Sequence, residues 1–225
     1  MVEGSEMSSS RDKILQRIDQ ALGNRTDSTD DVVERRYHQI SELTAQEKVN
    51  LFQERVDEYK AATERVSEGE LPGKLKKLCE EAGIKKLVLP PGIDENWLSE
   101  LPKSMTFLHD EPQPLSKTQL NESDAVLTNC FLGVAQTGTI ILNAGPGQGR
   151  RVLTLLPDIH ICVIRQDQIV GILPEAIRKL DQTVSESGAP VTFISGPSAT
   201  SDIELDRVEG VHGPRKLHVF IISES

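Results

Sequence analysis

The sequence predicts an α/β protein, a mixed and largely parallel sheet preceded by an N-terminal helical segment. Three observations carry this. All twelve prolines lie at or beyond Pro72 and only Gly4, Gly23 and Gly69 precede it, so the first third lacks helix breakers while the rest is punctuated. Beyond residue 70, short runs rich in Val, Ile and Leu alternate with helical segments, the rhythm of strands joined by crossovers. Between residues 137 and 164 those runs follow so closely that local antiparallel pairing is expected, which makes the sheet mixed. The division that follows is a helical segment over 1–70, serving as a cap or a partner-docking surface, and an α/β domain over 71–225.

Taken in order, Ser10 can cap a helix running through Ile14, Leu15, Ile18 and Leu22, and Gly23-Asn24 stops it. A second helical run over 31–66 carries Val33, Tyr37, Ile40, Val49, Phe52 and Val56 mostly at steps of three or four. Thr44-Ala-Gln-Glu47 reads as a capping box, so that run should break near Leu43. Residues 71–83 read as helix, 86–90 as a strand stopped by Pro90-Pro91-Gly92, 105–108 as a strand, 116–123 as a short helix and 124–128 as a strand. Strands are expected at 137–142, 151–156 and 159–164, then a helix at 174–186 and strands at 191–194 and 216–222.

Composition narrows the function classes. Against 25 Lys+Arg stand 35 Asp+Glu, a formal charge of −10, and no basic stripe interrupts it, so the field repels phosphate backbones and excludes nucleic acid as the default partner. No apolar run approaches the roughly 20 residues of a membrane span. The opening ten residues are polar and acidic, without the apolar stretch of a secretory signal, which predicts a cytoplasmic protein. Cys79, Cys130 and Cys162 are widely spaced with no C-x-x-C, so neither a disulfide framework nor an iron–sulfur or zinc cage is expected, and no cofactor bound by this chain is predicted. Cys130 and Cys162 sit in or beside apolar runs and read as buried small hydrophobes.

Four segments can carry chemistry. Thr137-Gly138-Thr139 and Gly145-Pro-Gly147-Gln-Gly149-Arg150-Arg151 combine glycines, which let backbone N–H groups approach an anion, with hydroxyls and paired guanidinium forks. They fit a phosphate or carboxylate loop or, equally, a glycine-rich hairpin with surface arginines, but neither a P-loop nor a dinucleotide fingerprint. Asp158 and His160, two apart at a turn, suit a hydrogen bond that fixes the turn; two ligands do not make a metal site. Gly196 and Ser198, after a hydrophobic strand, form an anion-binding turn, and Asp202, Glu204 and Asp206 beyond it serve either as acid/base or cation-holding carboxylates or as acids enriched at a helix start. His212, just before the final strand, is placed to enter a cleft at the sheet edge.

The ordered set Gly133-x-Ala-x-Thr-Gly-Thr-Ile-x-Leu142, Gly149-Arg-Arg151, Leu156-Pro-Asp-x-His-Ile161, Ser195-Gly-Pro-Ser-x-Thr-x-Asp-Ile-Glu204 and Gly210-x-His-Gly-Pro214 resembles the lactate-utilisation protein C family (LutC/YkgG, LUD domain) over about residues 70–225. The resemblance implies a fold of the NagB/RpiA/CoA-transferase-like class. It also implies a part in oxidising L-lactate to pyruvate for growth on lactate, beside two iron–sulfur partner proteins, with this chain as the cluster-free component. The residues it points to are Thr137, Gly138 and Thr139 as a backbone cradle and Arg150 and Arg151 as anion ligands. Gly196, Ser198, Asp202 and Glu204 form the facing wall, and His212 is the acid/base candidate. A second reading stands beside the first: a stand-alone transferase- or isomerase-like enzyme for a phosphorylated, CoA-linked or folate-like anion. Both readings admit a homo-oligomer.

Overall fold

A computed structural model describes residues 10–22, 36–200, 208–209 and 213–223. The chain divides into two units, residues 1–37 and 38–225. In the first, α1 (Ser10–Leu22) leaves Ile14, Leu15, Ile18 and Leu22 exposed on its apolar stripe. The second runs α2 (Ala45–Glu58), β1 (Ala62–Val66), α3 (Leu71–Glu81), β2 (Lys86–Leu89), β3 (Thr106–His109), α4 (Lys117–Asn121), β4 (Ala125–Asn129), β5 (Leu132–Val134) and β6 (Thr139–Leu142). It continues through β7 (Ile159–Arg165), β8 (Ile169–Val170), α5 (Leu173–Ser187), β9 (Thr192–Ile194), β10 (Ala199–Thr200), β11 (Val208–Glu209) and β12 (Lys216–Ile222).

Six strands, in the order β1-β12-β7-β4-β2-β3, form a wholly parallel sheet. A smaller sheet, β8-β5-β6-β9, is mixed, with β6 antiparallel to both neighbours. The mixed α/β architecture expected from sequence is therefore present, divided between these two sheets, with β10 and β11 pairing antiparallel in a separate two-stranded ribbon. The central strands β7 and β12 are apolar on both faces because both are covered. On one face His160, Cys162 and Ile164 lie in register with Leu217, Val219 and Ile221, and Phe52 and Val56 of α2 join that cluster with Ile140 of the small sheet. On the other, Ile161 and Val163 meet Phe220, Leu71 and Leu75 of α3, and Trp97. A third cluster joins Leu132, Val134 and Ile141 of the small sheet to Ala176 and Leu180 of α5.

The Thr44 capping box forms on both sides, with Glu47 N donating to Thr44 Oγ1 at 3.3 Å and Thr44 N donating to Glu47 Oε2 at 2.8 Å. Three elements differ from the sequence expectation. Residues 62–66, read as the tail of a helix, are β1: α2 ends at Glu58, Lys60 takes φ 64, and the extended segment that follows pairs in parallel with β12. The division at residue 70 thus falls inside the α/β body. Residues 151–156, read as a strand, begin with a 3-10 turn over Arg151–Thr154. Val152, Leu153 and Leu156 meet one cluster with Val88, Leu120 and Val126, a helical spacing rather than an alternating one. Of the first part of the 31–66 run, residues 36–44 are irregular. Ser41 N donates to Glu175 Oε1 at 3.1 Å and the Gln39 carbonyl accepts from Arg178, so these backbone groups are satisfied by α5 instead of by a helix of their own.

Candidate functional site

Segments from four of the five sequence motifs converge on one cavity of about 290 Å³. Parallel pairing sets His160, second in β7, beside Leu217, second in β12, at one end of the large sheet. Antiparallel pairing of β6 with β9 places Ile194 opposite Ile140 and so carries Ser195 beside Thr139, whose hydroxyls are 2.8 Å apart. The turn that follows is held down by the Ser198 N–H, which donates to the Pro214 carbonyl at 2.8 Å. Gly196 has φ 87, and a Cβ there would come within 2.5 Å of Tyr59, so this turn requires glycine. The 3-10 turn brings Arg151 and Thr154 to the opposite wall.

Two groups give the cavity its chemistry. The Arg151 guanidinium is exposed and makes no ion pair among the described residues, which leaves both edges of its fork for a carboxylate or phosphate. Hydroxyls of Thr154, Ser195 and Ser198 stand around it as further wall groups. His160 is 1% exposed, and burial lowers its pKa from 6.5 to about 4, so the imidazole is neutral at pH 7. Its Nε2 is 2.8 Å from Thr128 Oγ1, a hydroxyl on the neighbouring strand that serves as donor or acceptor, which leaves Nδ1 as the second functional nitrogen. Such a site can hold an anion through Arg151, beside a neutral imidazole and the wall hydroxyls. Among the described residues no three His, Cys, Asp or Glu side chains converge as a metal ion requires.

The sequence candidates are distributed unevenly around this cavity. Arg151, Gly196 and Ser198 line it. Thr139 lies one hydroxyl behind, through Ser195, and Thr137 extends the chain with its Oγ1 2.7 Å from Thr139 Oγ1. Gly138 is no anion cradle: at φ 58 it lets the β5–β6 turn approach α2, where a Cβ would sit 2.7 Å from the Arg55 backbone carbon. Arg150 is no free anion ligand either. Its Nε and Nη2 donate to Asp110 Oδ2 and Oδ1, both at 2.8 Å, and Nη2 also to the Leu115 carbonyl at 2.6 Å. Arg150 is the extended residue before the turn and Arg151 the first within it, so the two side chains diverge. Asp202, Glu204, Asp206 and His212 lie outside the described residues. The expected Asp158–His160 bond is not made. His160 turns inward to Thr128, while Asp158 lies 3.6 Å from Arg215 and its carbonyl accepts the Arg215 N–H. His160 as a wall residue, with Thr154 and Ser195, went unrecognised in sequence; for His160 the Leu156-Pro-Asp-x-His motif was the available signal.

Among known proteins, residues 49–222 match the profile of the LUD domain. The chain is 47% identical to "Lactate utilization protein C" of Deinococcus radiodurans over 180 residues, 80% of this chain and 82% of that one. It is 32% identical to a protein of the same name from Shouchella clausii over 123 residues, 54% of this chain and 53% of that one. A crystal structure of a DUF162 family protein from Deinococcus radiodurans superposes with a TM-score of 0.67 at 40% identity, covering 80% of this chain and 99% of that one.

Proposed function

The chain belongs to the LUD domain family, and from that premise we propose that it serves lactate utilisation as the cluster-free component of a system that oxidises L-lactate to pyruvate, with iron–sulfur partner proteins taking the electrons. The observation that carries the reading is 47% identity, across four-fifths of the chain, to a protein named for lactate utilisation. The cavity supports it. A 2-hydroxy acid offers one carboxylate and one hydroxyl; Arg151 suits the former, and the Ser195 and Ser198 hydroxyls suit either group. Oxidation of the alcohol to the ketone gives up two electrons and two protons; the electrons pass to the partners' iron–sulfur clusters and the protons leave to solvent, while the neutral His160 imidazole stays a wall group. In this reading the chain holds and orients the acid, and the redox centres lie in its partners.

Native mass spectrometry of the full chain with co-expressed iron–sulfur partners tests this. A stoichiometric complex is expected. A free chain that binds no such partner and retains a phosphorylated, CoA-linked or folate-like molecule would replace the reading with a stand-alone transferase- or isomerase-like enzyme.

A further inference from the structure

The large sheet winds outward in both directions from β2. The segment from β2 to β3 crosses one face, where Trp97 packs with Leu87 and Leu89; the segment from β3 to β4 crosses the other, where Leu120 packs with Val88 and Val126. The chain leaving β4 enters the small sheet, where Cys130, Ile140 and Leu142 pack with Cys162 and Ile164 on the face opposite Trp97, so neighbours β2 and β4 send their chains to opposite faces. At their carboxyl ends this leaves the crevice in which open parallel sheets receive ligands. This end of the sheet is away from the Arg151 cavity, which opens at the starts of β7 and β12.

The crevice is a cavity of about 200 Å³ walled by Gly92 and Asp94 after β2, Trp97, Asn129 at the end of β4, and Arg165 at the end of β7. A cleft of about 910 Å³ opens beside it and shares Gly92. Two buried polar atoms on its wall have no hydrogen-bond partner among the described residues, the donor Trp97 Nε1 and the acceptor Asn129 Oδ1. Trp97 is 6% exposed. The Asn129 amide cannot exchange its ends freely, because Nδ2 donates to the Pro146 carbonyl at 3.1 Å. Buried polar groups are nearly always paired, so a donor and an acceptor that find no partner among the described residues, both at one cavity, invite a ligand there.

The remaining wall groups are engaged. Arg165 grips Glu68 with Nη2 2.7 Å from Oε1, and Asp94 Oδ1 accepts the Asn96 N–H at 2.9 Å. Glu68 is held below its ordinary pKa first by Arg165 and, more weakly, by the nearby indole N–H, which makes no hydrogen bond to it. Around the crevice and cleft the acids Glu68, Asp94, Asp110 and Glu111 outnumber Arg150 and Arg165, so an anion is disfavoured where the Arg151 cavity favours one.

We propose that this crevice is a second ligand site, for a neutral ligand with a planar donor–acceptor edge, a carboxamide or a nucleobase, whose acceptor meets Trp97 Nε1 and whose N–H meets Asn129 Oδ1. The half-exposed Glu68–Arg165 pair covers the approach, and surface pairs of this kind contribute little, so it parts at low cost.

Trp97 is the only tryptophan, so its emission reports on this site alone. Titration of the full chain with nicotinamide and, separately, adenine should give a saturable emission change with one of them, which also tells a carboxamide from a base. By calorimetry Trp97→Phe, which keeps the ring and loses the N–H, should bind that probe at least tenfold more weakly, and Arg151→Ala should bind it as the natural chain does. Emission unchanged by either probe at millimolar concentration would overturn the proposal without recourse to a variant. So would equal affinity in Trp97→Phe, or loss of binding in Arg151→Ala.

Discussion

Replacing His160 by Gln should flatten the acid limb of the stability profile. In the folded chain, burial lowers the imidazole pKa from 6.5 to about 4. Below pH 6.5 the unfolded chain takes up a proton that the folded chain refuses, so stability is complete above that pH and falls as pH drops toward 4. At 1.36 kcal/mol per pKa unit the full loss is about 3 kcal/mol, of which about 2 kcal/mol falls between pH 7 and pH 5. Glu68 and Glu175, whose pKa values are lowered, also lose stability on acidification, but at lower pH and equally in both proteins, so they cancel in the comparison. Gln retains an amide that can reach Thr128 Oγ1, so the variant removes the titration and keeps the hydrogen bond. Urea unfolding at pH 7, 6 and 5 gives the two profiles. The natural chain should lose about 2 kcal/mol more than His160→Gln between pH 7 and pH 5. Equal losses would mean that the folded imidazole titrates like a solvated one, and would refute the assignment of a neutral, desolvated histidine to the cavity wall.

Arg150→Ala should lower stability by about 2 kcal/mol in urea, because it strands Asp110, 5% exposed; the usual 3–5 kcal/mol for breaking a buried pair is reduced here because Arg150 is 42% exposed. Gly138→Ala should cost about 3 kcal/mol, from a left-handed φ of 58 and a Cβ that would fall 2.7 Å from the Arg55 backbone. The thiols should resist aromatic disulfide reagents at pH 8 until the chain unfolds. Burial raises Cys79 to about 11, and burial with a hydrogen bond to Cys162 raises Cys130. Labelling of the native chain at the rate of the unfolded one would contradict that.

Strands buried on both faces, such as β7 and β12, were legible because a continuous apolar run bounded by turn residues has few other uses. The edge strand β1 was not, since Thr63, Glu64 and Arg65 carry no apolar signal and its pairing with β12 joins residues more than 150 apart. At the site, small-residue turns marked where the chain bends, so Gly196 and Ser198 reached the cavity. What a linear pattern could not decide was which of two adjacent arginines faces it. That choice is made by the buried Asp110, 40 residues away, which takes Arg150 and leaves Arg151. Gly138 misled for a related reason: a glycine that admits a helix and one that admits an anion look alike until the helix is in place.

The most direct test of the account is isothermal titration of L-lactate into the natural chain, Arg151→Ala and Arg150→Ala. Saturable binding is expected, weakened roughly 10- to 150-fold in Arg151→Ala, the worth of a charge-assisted contact, and persisting in Arg150→Ala wherever that variant is folded. No binding by the natural chain, or binding that survives in Arg151→Ala and vanishes in folded Arg150→Ala, would contradict it.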